Sequence, residues 1–402
     1  MSFSMTSTWS DSAIDRALAA IAFLVTVAIW PGISGFAIAP RWAVIAAFPM
    51  VALFFVKIRM TPVHWVGLAF FTYATVSLLW SPVFVEALQG WAELVILAVA
   101  FCLGAEAKNL KWFYAAVAFG VSISAVIAAL QVDGIETVER VVGPAGLFAN
   151  KNMMGEIAAL ALIGVVASGL WIFAIGPLVA LGVSTCAGAM FGVVAAAVYW
   201  LWSKSAMLGI AAMIAIVLGG MVLVASSKNS TFIVRGRIWV DAIENLRWFG
   251  HGVGSYWVAT PEHAPRQEAM NVRHWHAHND AVEMVFDFGL GSVLFFGMVW
   301  LCLLGPASPD KYVLIGIIGV GMWGFPLFTP ATGFVGAVCA GRLARRWADL
   351  RESVAYRPGY RSKRYAGAGP VRNTILVPAK WSEAVSFGPI PERTAGKGSI
   401  GV

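Results

Sequence analysis

Long apolar runs, separated by short charged or Pro/Gly-rich breaks, dominate the chain from about residue 14 to residue 342. A membrane-crossing helix needs about 20 predominantly apolar residues. Cutting the runs at charges and breaks predicts about twelve spans, near 14–31, 40–56, 62–80, 87–105, 111–131, 153–170, 172–187, 189–202, 206–225, 281–304, 312–327 and 329–342. The stretch 153–202 is crowded enough to hold two spans, but only an odd number there lets the loops alternate. The expectation is an all-α, polytopic membrane protein: a transmembrane domain over 1–342 and a separate tail over 343–402. The tail is basic, rich in Gly and Pro and weakly periodic, which reads as a solvated cytoplasmic segment, with anchoring to anionic lipid as the alternative.

Composition sharpens the class. Apolar side chains make up 59% of the 402 residues and charged ones 12%, about half the charged share of an average soluble domain. Mean hydropathy is +0.77. Cys102, Cys186, Cys302 and Cys339 all fall inside apolar runs, which fits small core hydrophobes better than a disulfide framework or a thiolate metal site. Asp11 and Asp15 precede the first run, with Arg16 as its single nearby base. That is a poor cleavable signal, so the run reads as a retained first helix.

Charge sets the orientation. With twelve spans, one side gathers Arg16, Lys57, Arg59, Lys108, Lys111, Lys204, Lys311, Arg342, Arg345 and Arg346. The positive-inside tendency makes that side, and both termini, cytoplasmic. Two outer loops, 132–152 and 226–280, nevertheless carry Arg140, Lys151, Arg235, Arg237, Arg247, Arg266 and Arg273. Bases that defy the tendency point to an anionic ligand at the outer face.

The second outer loop holds most of the candidate chemistry. From Val234 to Leu246 the pattern predicts a short amphipathic helix with Ile238, Trp239, Ala242, Ile243 and Leu246 on one stripe. Arg235 shares that stripe and points to the membrane or the bundle, where a buried guanidinium wants an anion, either a bound phosphate or a lipid headgroup. Arg237 faces the other way and is placed to pair with Asp241 at the surface. Gly250, Gly252 and Gly254 read as a tight turn, without the strand–turn–helix setting of a dinucleotide site.

The stretch "NVRHWHAHND" follows, with His274, His276 and His278 at alternate positions. In an extended segment they would lie on one side, spaced to share a zinc ion, although no fourth ligand is evident. Asp280 and Glu283 have the spacing of a capping box, and with Asp287 they also share a helix face that should line a polar cavity. His278 would stand at its mouth, where a neutral imidazole accepts a proton. In the first outer loop, Asn152 reads as an N-cap of the next span, or with Lys151 and Arg140 as part of the same outer site.

Three of these pieces resemble the O-antigen ligase and polymerase superfamily of membrane glycosyltransferases. They are "GLFANKNMMGE", "RGRIWVDAIENLRWFGHGVGSY" and "HNDAVEMVFDFGLG", and with the multi-span layout the resemblance covers about residues 60–340. It implies a metal-independent, inverting transfer of a glycan from an undecaprenyl-diphosphate carrier, at the periplasmic face of the bacterial inner membrane and without a cofactor. The acceptor is the lipid A core in the ligases and a second lipid-linked glycan in the polymerases. Transfer to a protein is a further variant, and nucleic acid is not an expected partner.

By the resemblance, Arg235 grips the diphosphate and His278 activates the acceptor hydroxyl, and Glu283 or Asp280 on the adjoining helical turn is placed to orient its imidazole. Arg140, Lys151, Asn152, Arg237, Asn279 and Asp280 complete the donor site. Two departures stand out. Ala187 occupies a position where the family leads one to expect arginine, and Gly289 and Gly291 sit one residue closer than the family's spacing. A transporter of the same lipid-linked sugars is the reading from another class. It would need polar residues near the midplane and often repeated halves, whereas the charges here collect at the outer edge.

Overall fold

The computed structural model describes residues 11–31, 35–53, 56–135, 137–138, 143–226, 230–263 and 276–355. It is all-helical, with 77% helix and no strand among the described residues. The helices are α1 (Asp11–Val27), α2 (Ala39–Leu53), α3 (Pro62–Ser77), α4 (Phe84–Glu106), α5 (Lys111–Val132), α6 (Lys151–Ala167), α7 (Ile175–Ser184), α8 (Ala187–Lys204) and α9 (Ala206–Ser226). They continue as α10 (Ser230–Glu244), α11 (Tyr256–His263), α12 (Asp280–Phe288), α13 (Ser292–Leu303), α14 (Pro309–Gly321) and α15 (Pro330–Ala355).

Each apolar run contains helix, although the run 312–327 leaves it after Gly321, and the crowded stretch resolves into α6, α7 and α8. Among the described residues, three segments are long and apolar enough to cross a membrane by length and composition: α4, α5 and the kinked pair α12–α13. The last run does not stop at 342, because α15 continues through the first residues assigned to the tail and reaches Ala355. Residues 356–402 lie outside the described set.

Small residues let the helices approach. A Cβ on Gly192 of α8 would come 2.8 Å from the Gly316 carbonyl of α14, and one on Gly319 would come 2.8 Å from the Phe191 carbonyl. Helices in lipid associate through such close backbone packing, since lipid tails are as apolar as leucine. Phe113, Tyr114, Ile157, Leu160 and Phe334 are buried in the largest apolar cluster. Trp30, Trp65, Trp112, Trp200 and Trp202 instead remain exposed, in keeping with a belt of interfacial aromatics.

Helix α4, with 23 residues, is about 34 Å long at about 1.5 Å per residue, and it separates two polar ends. Beside Glu106, at its C-terminus, Arg345 approaches Glu106 at 3.5 Å and Asp349 at 3.0 Å, Arg59 pairs with Glu352, and Arg346 approaches Asp310 at 3.7 Å. Near its N-terminus, Gly90 packs against Gly254, where a Cβ would sit 3.1 Å from the Gly254 Cα. That end belongs to the loops that carry the candidate chemistry.

Candidate functional site

The connection between α14 and α15, Met322–Thr329, organises this end. Gly324 and the Phe325–Pro326 step break the helix, and Pro326 opens a single 3-10 turn over Pro326–Phe328, where its missing N–H costs nothing. Side chains from three other elements close on this short loop. The Arg235 guanidinium on α10 donates from Nη1 to the Trp323 carbonyl at 2.6 Å and lies 4.7 Å from the centre of the Trp323 ring. Asn279 donates from Nδ2 to the Met322 carbonyl at 3.3 Å, and Asp280 Oδ2 accepts the Leu327 N–H at 3.3 Å. His276 stacks on Phe325 and Phe328 at 4.4 and 5.2 Å, and His278 meets Phe325 edge-on at 5.2 Å.

The N-terminus of α12 places the two histidines. Asn279 is its cap, accepting the N–H groups of Ala281 and Val282 at 3.0 and 3.1 Å. The cap expected at Asp280 therefore falls one residue earlier, and no capping box forms with Glu283. Asp280 is freed to turn inward, where it is buried. Glu283 also turns inward, but it does not orient His278. Its Oε1 lies 2.8 Å from Nδ1 of His276, and its Oε2 accepts the Ala277 N–H at 2.8 Å. His278 has φ +52°, so the segment is not extended there and the even alternation ends.

An ionised carboxylate only accepts hydrogen bonds, so the contact with Glu283 puts a proton on Nδ1 of His276. The neutral ring then keeps its lone pair on Nε2. Burial pulls the pKa of His276 down, but the charge and hydrogen bond of Glu283 and the charge of Glu93 outweigh it, and the net direction is up. The ring is thus held beside Glu283 with its pKa raised.

Arg235 points to the bundle, as one of the two expected directions had it, and burial lowers its pKa while the nearby Cys186 and Glu156 act the other way. No carboxylate lies within ion-pair distance of it among the described residues. Glu156, on α6, is buried with Oε2 outside any hydrogen bond among those residues. Lys151 is exposed, and its Nζ reaches Thr185 Oγ1 at 3.4 Å, next to Cys186. Ala187 follows directly and is exposed as the first residue of α8.

Other expectations change. The cap of α6 is Asn150, whose side chain accepts the Met153 N–H at 3.0 Å, so Asn152 lies within the first turn instead. Arg237 is exposed while Asp241 is buried, and the surface pair between them is not formed. The buried stripe of α10 carries Ile238 and Ala242, whereas Ile243 and Leu246 are exposed at 55% and 41%. Arg140 and His274 lie outside the described residues.

The Gly-x-Gly-x-Gly stretch is a tight turn, and its donors are already engaged. The N–H of His251 bonds the Phe286 carbonyl at 3.0 Å, that of Gly252 the Asp287 carbonyl at 2.8 Å, and that of Gly254 Asp287 Oδ2 at 3.1 Å. A side chain at Gly250, with φ +68°, would run into the Asp287 carbonyl. Asp287 therefore ties this turn down and does not line the expected polar cavity. Among the described residues, no group of three or more His, Cys, Asp or Glu is placed to share a metal ion.

Sequence reasoning missed Trp323, Phe325 and Phe328, since an aromatic Gly/Pro break between two spans looks like an ordinary turn. It also missed Glu156 and Glu93, whose solitary charges inside apolar runs were the available signal. In comparisons with models of known protein families and with curated proteins, nothing matches this chain.

Proposed function

We propose that the chain is a membrane glycosyltransferase that moves a glycan from a lipid diphosphate carrier, such as undecaprenyl diphosphate, to an acceptor hydroxyl at the outer face of the bacterial inner membrane. In this reading it spans the membrane about twelve times, with both termini cytoplasmic and the loops 132–152 and 226–280 periplasmic. The observation that carries the proposal is the convergence of two unlike groups on one short loop. Arg235 and the His276–Glu283 pair both close on Met322–Phe328.

The division of labour follows from the chemistry. A diphosphate leaving group gains charge as the bond from the anomeric carbon to oxygen breaks. A guanidinium held against a carbonyl and an indole face, with no carboxylate at ion-pair distance among the described residues, is preorganised to receive that charge. His276 takes the proton of the acceptor hydroxyl on Nε2, and Glu283 holds the opposite nitrogen and stabilises the imidazolium that results. Lys151, Asn152, Asn279 and Asp280 belong to the surrounding donor site in this proposal, with Arg140 and Arg237 as further bases of the same outer loops. His278, the base favoured by sequence, sits on Phe325 beside the acceptor path.

The lipid A core is the acceptor in the ligase form of the proposal, and a second lipid-linked glycan in the polymerase form. The test is transfer from an undecaprenyl-diphosphate glycan in proteoliposomes, with and without chelator. Wild type should transfer in both conditions, and His276→Ala and Arg235→Ala should not. Full transfer by both variants would remove the site from the proposal. Deletion in cells separates the forms, leaving unattached polymer in one case and single repeat units in the other.

A further inference from the structure

Two turns lie side by side near the N-terminus of α4, and neither supplies a residue to the proposed chemistry. One, Leu79–Val85, joins α3 to α4 and contains no charged residue. The other, Arg247–Gly254, holds the three glycines. A Cβ on Gly252, with φ +101°, would come 2.9 Å from the Ser81 Cα, so the two backbones touch. Tyr73 bridges them. Its Oη donates to the Phe249 carbonyl at 2.9 Å, and its ring meets that of Trp80 edge-on at 5.9 Å. Large apolar side chains stand out from both turns. Trp248 and Phe249 are 77% and 67% exposed, and Leu79, Phe84 and Val85 are exposed on the neighbouring turn.

The backbone tells which solvent this surface faces. A turn in water can leave its polar groups to the solvent, but irregular backbone at membrane depth persists only where the protein satisfies them. Here every N–H from Gly250 to Gly254 is bonded within the protein. That of Gly250 bonds the Arg247 carbonyl at 2.9 Å, those of His251, Gly252 and Gly254 bond α12, and that of Val253 bonds Ser77 Oγ at 3.0 Å. The Trp248 carbonyl accepts the Leu290 N–H at 2.9 Å. Leu290 is itself exposed, and it lies ten residues into Asp280–Leu303, a segment long and apolar enough to span. Trp248 is therefore fastened to the side of that segment and not to its end. Exposed apolar side chains over a satisfied backbone, continuous with the exposed face of a spanning segment, fit lipid as the partner.

We propose that the two turns form a lipid-embedded platform, with Trp248 and Phe249 seated at the boundary between the headgroups and acyl chains of one leaflet. Tryptophan favours that depth, where its apolar ring and its N–H each find a partner. Arg247 is exposed next to Trp248, and its long stem lets the guanidinium reach back to the lipid phosphates. The platform also sets a depth for the candidate site. Asp287 ties the glycine turn to α12, the helix that carries Glu283. The inference depends on Asp280–Leu303 crossing the membrane and not on the transferase chemistry.

The experiment measures depth in the full chain. Cys102, the half-buried cysteine, is replaced by serine, and a nitroxide is attached to Phe249→Cys. Two further proteins carry it at Val126→Cys, exposed within the spanning helix α5, and at Asp133→Cys, exposed just past that helix. Each is reconstituted in bilayers of phosphatidylethanolamine and phosphatidylglycerol, and relaxation by dissolved oxygen is compared with relaxation by a water-soluble nickel chelate. Position 249 should resemble 126, relaxed mainly by oxygen, with nickel several-fold less effective than at 133. Nickel as effective at 249 as at 133 overturns the proposal. Protection from both reagents also overturns it, since another part of the chain or a second copy would then cover the patch. If Phe249→Cys does not reconstitute, brominated lipids decide. The fluorescence lost in Trp248→Phe should be a component that those lipids quench, and an unquenched component overturns the proposal. No arm requires glycan transfer, so a chain that transfers nothing would remove the transferase reading and leave this inference standing.

Discussion

The two ends of α4 hold similar residues in opposite circumstances. At the Glu106 end, Arg59, Arg345 and Arg346 each find a carboxylate, and most of these side chains are partly or well exposed. At the Glu93 end, Arg235 is held by a backbone carbonyl and an indole ring, the His276–Glu283 pair is partly buried, and Glu156 and Asp280 keep oxygens outside any hydrogen bond among the described residues. Pairing charges with charges makes an end that is electrostatically complete. Leaving a cation poised and a carboxylate committed to an imidazole makes an end that can receive an anion and a proton. Stability alone would favour the first arrangement at both ends, since partly satisfied buried polar groups are costly.

The largest effects should therefore fall at the Glu93 end. Arg235→Ala is expected to lower transfer about 10²–10³-fold, the range seen when one preorganised donor to a developing charge is removed. Arg235→Lys should recover only part of this, because an ammonium lacks the planar fork that bonds the Trp323 carbonyl while lying against its ring. His276→Ala should cost about 10²–10⁴-fold, the usual worth of a positioned general base. His278→Ala should cost less. Steady-state transfer by the two histidine variants breaks the comparison if their order is reversed, and returns the base to the position favoured by sequence.

The pH profile is the next test, and its sign follows from the direction of the shift. The pKa of His276 is raised, so the neutral, proton-accepting ring exists only above a value higher than that of an ordinary histidine. Transfer should rise with pH through that value. Glu283→Gln removes the leading upward influences and should move this limb to lower pH, while reducing the plateau because Nδ1 is no longer held. For stability the sign is the reverse. The His276–Glu283 pair contributes fully below the ordinary histidine value and loses its contribution as pH rises through the raised one. Thermal unfolding in detergent across that window measures it.

Much of this end was legible in sequence, and the reasons differ by residue. The helices follow from apolar run length, and Arg235 stands out because its position on α10 is inseparable from the stripe that seats the helix. The identity of the base was not legible. Alternating His276 and His278 look equivalent until the backbone at His278 adopts a positive φ, and until Asn279 takes the cap that Asp280 was expected to supply. That one-residue displacement decides which histidine Glu283 reaches. Glu93 was still less visible, because 183 positions separate it from His276 and a solitary charge in an apolar run does not say which end of the bundle it serves.

A smaller effect belongs to the scaffold between the two ends. Asp287 accepts from the Gly254 N–H and ties the glycine turn to α12. Asp287→Ala leaves that buried donor unsatisfied and should destabilise the fold by about 1–3 kcal/mol. Denaturation in detergent reports the loss, and activity should fall only in proportion to the folded fraction. A fall in the rate per folded molecule comparable to that of His276→Ala would move Asp287 from the scaffold into the chemistry.

The smallest effect is expected at the Glu106 end, and it is the control that gives the others meaning. Arg345→Ala removes the approaches to Glu106 at 3.5 Å and Asp349 at 3.0 Å. Pairs near a solvated surface contribute about 0–1 kcal/mol and weaken with salt. Transfer should stay within about twofold of wild type, the equivalent of less than about 0.5 kcal/mol in a barrier, and the small loss of thermal stability should shrink further at high salt. Arginine removal at both ends changes the net charge equally, so a general electrostatic effect on carrier binding would slow both variants alike. Only a site built around Arg235 predicts that one loss is large and the other nearly silent.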